Sequence, residues 1–421
     1  MISWLVFFLY RYLLLPTALF ILKISHPFLP AKIKEMWTDR QNLNWPELPA
    51  RPIWIHASSG EIEYAKSVIR AIKEKWPQRM ILVTYFSPSA KKLIKSITGV
   101  DAVIPLPWDH RFLVKKFLTH FRPEFFLISR TDAWPEFAYQ THKLKIPSIL
   151  FSATFATESR RQGFFSTPLT RFTFNHLTQI DCVSEEDIQE IAKIKSHTST
   201  SVTGDTRYDQ VLWRVLNPLD HRQELKPSTS PIWVIGSSWP QDEKVLFPAF
   251  LGFIQSGGKI ILAPHEVDSE RIQKICLQLS SLGLSWTLYS KAKEWLSENI
   301  LIIDQVGRLQ EIYTWGDFAF VGGSFKDKVH SVMEPLAAGL PVLVGPFHAN
   351  NREALHFQNI QIQGVSVVTS VGNSEDLIQT LKVFEKQIHH WPNLRKNLRL
   401  KLQEKAGATK KLLGQIESLS P

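Results

Sequence analysis

The chain has 421 residues, 44% of them hydrophobic and 14 of them Trp, enough to bury more than one sizeable core, so two or more domains are expected. The formal charge of +10 favours an anionic partner, either an acidic membrane surface or an anionic substrate. Nucleic acid is not expected, because no Lys/Arg block is dense and no DNA- or RNA-binding motif appears, while two distant cysteines, Cys182 and Cys276, exclude a disulfide framework and fit a reducing compartment.

Residues 2–22 are almost all apolar, and Arg11 is their only charge. A spanning helix needs about 20 such residues. Arg11 near the middle and Pro16 argue against a clean span, so the stretch either crosses as a short span or lies in the interface. It is expected to tie into lipid more than into the protein core. A cleavable signal peptide would show a basic start and a small-residue cleavage site, and neither is evident. Lys23, Lys32 and Lys34 follow, which puts the main body on the cytoplasmic side.

From Pro52 onward, short apolar runs alternate with helical spacing. Strands are expected at 53–56, 81–84, 102–104, 125–128, 148–151 and 182–183, and helices at 61–75, 89–96, 111–120, 134–143 and 185–194. That alternation indicates a parallel sheet covered by helices. The first strand runs into His56-Ala-Ser-Ser-Gly-Glu61. Gly60 permits an unusual backbone there, and Glu61 falls at a helix start. Glu61 is read either as a general base at a strand's C-terminal end or as a helix-starting Glu satisfying backbone donors. Ser58 and Ser59 precede it, but the G-x-S-x-G nucleophile elbow is absent. The strand at 125–128 runs into Ser129-Arg-Thr-Asp132-Ala-Trp-Pro135, so Asp132 is a second acid at a strand end, with a helix cap as its alternative. Arg130 either binds an anion or pairs with Asp132. In Thr203-Gly-Asp-Thr-Arg207, Arg207 is a further candidate anion contact.

Residues 217–231 are polar and carry three prolines, which reads as a linker. The alternation then restarts, with strands expected at 232–235, 259–262, 285–288, 300–303, 318–321 and 342–344. Helices are expected at 242–255, 269–282, 309–315 and 332–338, followed by a basic helical tail over 375–413. The chain therefore reads as two Rossmann-like halves with a cleft between them. Gly236-Ser237-Ser238-Trp-Pro-Gln-Asp-Glu243 links a strand to a helix, with amides and hydroxyls suited to a phosphate. His265 follows the next strand. The densest motif runs from Gly322 to Asn350, just after the strand at 318–321: the turn Gly322-Gly323-Ser324, His330, Glu334 near a helix start, and a second apolar strand at 341–344. Glycines let a backbone approach a phosphate, and a Glu can accept from a ribose diol. No His/Asp/Glu trio has metal spacing, and no D-x-D is present.

These motifs, in this order, resemble the 3-deoxy-D-manno-octulosonic acid (Kdo) transferases, glycosyltransferases of the GT-B fold. The matching elements are A-S-S-G-E at 57–61, T-D-A-W-P at 131–135, V-T-G-D-T-R-Y-D at 202–209, G-S-S-W-P-Q-D-E at 236–243, A-P-H-E at 263–266 and the block 320–353. The resemblance implies transfer of Kdo from CMP-Kdo to a lipid A precursor in lipopolysaccharide biosynthesis, with inversion and with no bound metal. It implies Glu61 as base and Asp132 as a second functional carboxylate. Ser59, Gly60, Arg130 and Arg207 would serve the acceptor or an anion. Ser237, Ser238, His265, Gly323, Ser324, Glu334 and Asn350 would lie near the donor. The implied organisation is a membrane anchor over 1–30, an acceptor-binding domain over 31–216, a linker over 217–231 and a CMP-sugar-binding domain over 232–421, held at the inner membrane's cytoplasmic face. The sequence departs from the family at Asp132, where Glu is common, at His265-Glu266 and at Lys328–Ser331. The competing readings are a GT-B enzyme using a UDP-sugar, as transferase or epimerase, and a catalytically silent membrane-bound sugar-binding protein.

Overall fold

The computed structural model describes the chain apart from residues 1, 42–43, 95–96, 157–162, 164–165, 219–224, 226–229, 296, 388–390 and 421. It forms two units, Met1–Gln210 with Lys405–Pro421, and Val211–Glu404.

In the first unit the strands are β1 (Ile53–His56), β2 (Ile81–Tyr85), β3 (Ala102–Pro105), β4 (Phe125–Ser129), β5 (Ser148–Ala153), β6 (Gln179–Cys182) and β7 (Ser199–Val202). All seven are parallel, in the order β3-β2-β1-β4-β5-β6-β7. Every residue of β1, β2, β4 and β5 is buried, as expected of strands covered on both faces. The helix Ile62–Lys75 buries Ile62, Ala65, Ile69 and Ile72, a helical stripe facing the sheet. β6 begins earlier than its apolar residues suggested, and β7 was not expected. Both carry polar residues, and the buried Asp181 in β6 accepts from Ser201 of β7 and from Gln415.

The second unit holds β8 (Ile232–Ser238), β9 (Lys259–Pro264), β10 (Trp286–Leu288), β11 (Ile300–Ile302), β12 (Phe318–Val321) and β13 (Val342–Val344). A small hairpin of β14 (Gln361–Ile362) and β15 (Val365–Ser366) follows, and then β16 (Val368–Ser370). The main sheet is again parallel, ordered β10-β11-β9-β8-β12-β13-β16.

The expected boundary needs two corrections. The unit changes at residue 210 rather than after 216, and the expected linker over 217–231 lies largely outside the described residues. The tail also divides. Its last helix, Ala408–Leu419, returns to the first unit, where Leu412, Leu413 and Ile416 pack with Ile53, Ile69 and Leu127. Asp209 holds that helix's first turn by accepting from Gly407 N–H at 2.6 Å and Thr409 N–H at 2.8 Å. The basic helical pattern of the tail carried no sign of which core it would join.

The N-terminal segment is helical over Ile2–Phe28, long and apolar enough to cross a membrane. A π-helical turn, Tyr10–Leu14, interrupts it. One side touches the rest of the first unit at a few residues, and most of the segment stays unburied, as expected of a stretch that ties into lipid more than into the core. Phe7 is fully buried and stacks on Phe172 at 4.0 Å. Arg11 pairs with the buried Glu136 at 2.8 Å. Leu5, Leu9, Leu13, Phe20 and Ile24 remain exposed on the other side.

Candidate active site

In open parallel sheets, ligands bind beyond the C-terminal strand ends where the strand order reverses. In the first unit that point lies between β1 and β4, which end in His56 and Ser129. The motif residues gather there. His56 is fully buried. Its Nδ1 lies 2.9 Å from Thr84 Oγ1, which itself accepts the Trp54 indole N–H at 2.8 Å. Thr84 O, 3.1 Å from the same ring nitrogen, already accepts Ala57 N–H. The ionised Asp132 carboxylate beside Nε2 can only accept, which puts an imidazole proton on Nε2. From there it is donated to Asp132 Oδ2 at 3.0 Å. The Ser58 hydroxyl donates to the same carboxylate oxygen. Asp132 does not cap the following helix, Pro135–Lys143. The buried Asp109 does, accepting from Glu136 N–H at 2.9 Å and Phe137 N–H at 3.0 Å.

Glu61 directly precedes the helix Ile62–Lys75 without capping it through its side chain. Among the described residues its carboxylate has one hydrogen bond, from Ser59 N–H to Oε2 at 2.9 Å. The Ser129 hydroxyl donates to Glu61 O at 3.0 Å, which fixes this turn to the end of β4. The backbone role expected of Gly60 is not needed: its φ is not left-handed, and a Cβ there would meet nothing within 4 Å. The Ser59 hydroxyl pairs with that of Ser89. Arg130 is held at φ 64° and donates to Thr154 Oγ1 at 2.9 Å rather than pairing with Asp132. Arg130 and Arg207 meet at one ring, their guanidinium carbons 5.0 and 5.7 Å from the Tyr64 centroid.

In the second unit the order reverses between β8 and β12, where the 236–243 and 322–334 motifs meet. Ser237 adopts a left-handed φ of 55°. Gly322 packs against it so closely that a Cβ would sit 2.2 Å from Ser237 O. Gly323, at φ 82°, turns the chain beside Lys328 O. Two expected donor contacts are spent inside the fold. The buried Ser238 hydroxyl donates to Glu243, which pairs with Arg271. The buried Ser324 hydroxyl donates to Val321 O and accepts from Gly345 N–H. Asp242 binds the two loops together, accepting from Trp239 N–H at 2.9 Å, Gly323 N–H at 2.7 Å and Phe325 N–H at 2.9 Å. Burial pushes its pKa up against those three donors.

His265 is brought into a ring cluster. It stacks on Trp239 at 4.4 Å and on His330 at 4.5 Å, and Lys326 Nζ lies 3.3 Å from the Trp239 centroid. The Trp239 indole donates to His330 Nε2 at 2.9 Å, so His330 is neutral with its proton on Nδ1. Burial, with neighbouring His265 and Lys328 adding, pushes the His330 pKa down to about 4. Glu334 lies half-buried in the first turn of Met333–Ala338. Asn350 is exposed, and its neighbour Asn351 makes the structural contacts, capping Arg352–Gln358 and donating to His330 O at 3.0 Å. His56, Trp239, Asp242 and Asn351 were not singled out from the sequence. The one signal for His56 was a polar residue closing a buried strand. Among the described residues, no group of three or more His, Cys, Asp or Glu is placed to hold a metal.

Residues 33–210 match the family model described as 3-deoxy-D-manno-octulosonic-acid transferase (kdotransferase). The family-model match ends where the first unit's main span ends. The chain is 26% identical to the 3-deoxy-D-manno-octulosonic acid transferase of Haemophilus influenzae over 84% of each chain. It is 27% identical to that of Chlamydia trachomatis serovar D over 70% of each, and 26% identical to that of Rickettsia felis over 78% of this chain and 70% of the relative. Among solved structures, UDP-GlcNAc 2-epimerase from Neisseria meningitidis superposes with a TM-score of 0.60 at 14% identity, covering 88% of this chain and all of that one. A putative UDP-N-acetylglucosamine 2-epimerase from Listeria monocytogenes gives 0.57 at 12%, over 87% and 96%. At such identities these structures speak to the fold alone, two Rossmann-like domains of the GT-B class. The A-S-S-G-E, T-D-A-W-P and G-S-S-W-P-Q-D-E motifs gather at the two switch points; residues 33–210 carry a 3-deoxy-D-manno-octulosonic-acid transferase domain, and the chain as a whole is similar to the 3-deoxy-D-manno-octulosonic acid transferases of several bacteria.

Proposed function

We propose that the chain is an inverting glycosyltransferase that moves Kdo from CMP-Kdo to a lipid A precursor in lipopolysaccharide biosynthesis. The carrying observation is the Glu61 carboxylate at the β1–β4 switch point, with Oε2 engaged by one backbone amide and no cap to make. A carboxylate in that state can take a proton from an acceptor hydroxyl. The hydroxyl oxygen then attacks the anomeric carbon of Kdo opposite the leaving phosphate. The new C–O bond forms as the bond to the phosphate oxygen breaks. CMP leaves with that electron pair, and the proton stays on Glu61.

Asp132, oriented by donors from His56 and Ser58, positions the acceptor sugar. Arg130 and Arg207 receive an anionic group of the acceptor. On the donor side, Ser237, the turn at Gly323, His265 and Lys326 serve the phosphate and base, and Glu334 the ribose. Ser238 and Ser324 shape this site from within, and Asn350 offers an exposed amide at its edge. The leaving group carries a single phosphate, which protein donors can stabilise, so no metal enters the reading. Full activity in EDTA checks that point. The exposed apolar side of 2–28 and the lysines after it suit the cytoplasmic face of the inner membrane, with an anionic lipid surface as partner.

The test is mass spectrometry of a lipid A precursor incubated with the full chain and CMP-Kdo, with UDP-sugars in parallel. Kdo-bearing product from CMP-Kdo alone supports the reading. Turnover of a UDP-sugar only, or binding without turnover, replaces it with a different enzyme or a silent binding protein.

A further inference from the structure

The π-helical turn of the N-terminal segment places two adjacent polar side chains on two buried acids. Tyr10 donates to Asp109 Oδ2 at 2.8 Å, and Arg11 donates to Glu136 Oε1 at 2.8 Å. Asp109 is 4% exposed and Glu136 is fully buried. Arg11 is the one cation within ion-pair distance of Glu136 among the described residues. Turns of this kind re-aim side chains inside a helix and recur at functional sites.

Both acids belong to the start of the helix Pro135–Lys143. Glu136 is its second residue, and Asp109 accepts its first two free amides, at Glu136 and Phe137. The chain entering that helix is the Asp132 loop, three residues upstream of a proline that fixes its direction. Trp134 in the loop stacks on Phe86 at 5.0 Å, and Phe86 N–H donates to Ser58 O. Ser58 in turn donates to Asp132. The segment thus holds the same helix start that aims Asp132.

We propose that Tyr10 and Arg11 are positioning residues for the Asp132 loop, so that the N-terminal helix is part of the acceptor-side site as well as an attachment to lipid. The inference rests on the transferase reading for its kinetic consequence and on the hydrogen bonds alone for its structural one. Removing Arg11 leaves Glu136 buried without a counter-charge, a state that proteins relieve by rearranging. The loop ahead of Glu136 is continuous with it, so a shift there is passed to Asp132.

The experiment compares the full-length parent with Arg11→Gln, Arg11→Lys, Tyr10→Phe and a triple variant, Phe20→Ser/Ile21→Ser/Ile24→Ser, on the exposed side. Acceptor is supplied dispersed in detergent, so that membrane attachment does not limit the rate. Arg11→Gln is expected to lower kcat about 10- to 100-fold, the scale of a small misplacement at a reacting centre, with CMP affinity and vesicle sedimentation unchanged. Arg11→Lys restores most of the loss, and Tyr10→Phe, the milder change, lowers kcat less. The triple variant loses sedimentation and keeps kcat. Amide exchange over 130–137, read without substrate, speeds up in Arg11→Gln and Tyr10→Phe. A kcat within twofold of the parent in Arg11→Gln overturns the proposal. So does exchange unchanged over 130–137, whatever the activity. A parent that turns over no CMP-Kdo refutes the transferase reading instead, and the exchange measurement still decides this one.

Discussion

The two switch points are built alike and used differently. At the first, between β1 and β4, the two motif acids are part-buried. Asp132 collects donors from His56 and Ser58, and Glu61 keeps a lightly engaged carboxylate. At the second, between β8 and β12, the motif side chains largely bind their own backbone. Ser238, Asp242 and Ser324 are buried and bonded within the fold, and Gly322 is there because nothing larger fits beside Ser237. On the proposed reading, similar strand–loop–helix motifs carry chemistry in one domain and backbone shape in the other. Such a division suits a reaction in which one side must move a proton and the other must hold a phosphate and a base.

The comparison is broken most forcefully at Glu61. Glu61→Gln keeps the shape and removes the proton acceptor, so kcat is expected to fall about 10²-fold or more while CMP affinity, measured by calorimetry, stays unchanged. Activity within a few-fold of the parent removes Glu61 from the base role.

The paired glycines sharpen the contrast. Gly322→Ala drives a methyl into Ser237 O and is expected to cost about 1–3 kcal/mol of stability, with CMP affinity lost as the loop shifts. Gly60→Ala enters open space and is expected to change stability by less than about 0.5 kcal/mol. Denaturant melts of both variants check the pair, and equal costs contradict the division.

Asp242→Asn replaces an acceptor of three backbone amides with a group that accepts on one side only. A loss of about 1–3 kcal/mol is expected, together with weaker CMP binding. Unchanged CMP affinity in a folded variant shows that the clamp is not needed to shape the donor loop.

The last effect is a pH dependence at His330. Its folded pKa is depressed to about 4 from an ordinary value of 6.5, so the unfolded chain takes up this proton first as pH falls. The stabilising contribution is whole above pH 6.5 and is lost progressively toward pH 4. His330→Gln removes the titration and keeps an acceptor for Trp239. The parent's stability is therefore expected to fall more steeply than the variant's between pH 6.5 and 4, and parallel slopes contradict this.

The sequence made the alternation legible because strands buried on both faces read as unbroken apolar runs. It failed where that signal fails. β7, Ser-Thr-Ser-Val, is a polar edge strand, and β6 carries the buried Asp181. The return of Ala408–Leu419 to the first core was invisible because its amphipathic stripe fits any sheet face. At the site, acids at strand ends were readable as candidates. The partners that orient them were not, since Thr84 and Trp54 reach His56 only through strand pairing. Ser238 and Ser324 looked like ligand contacts because a hydroxyl in a loop does not reveal which way it turns.

The most direct test of the account is product formation by the parent and Glu61→Gln side by side, with CMP-Kdo and a lipid A precursor, read by mass spectrometry of the lipid and by released CMP. The account predicts Kdo-bearing lipid and matching CMP from the parent, and neither above background from the variant while it still binds CMP. Kdo transfer by Glu61→Gln at the parent's rate, or a parent that releases CMP without modifying the lipid, contradicts it.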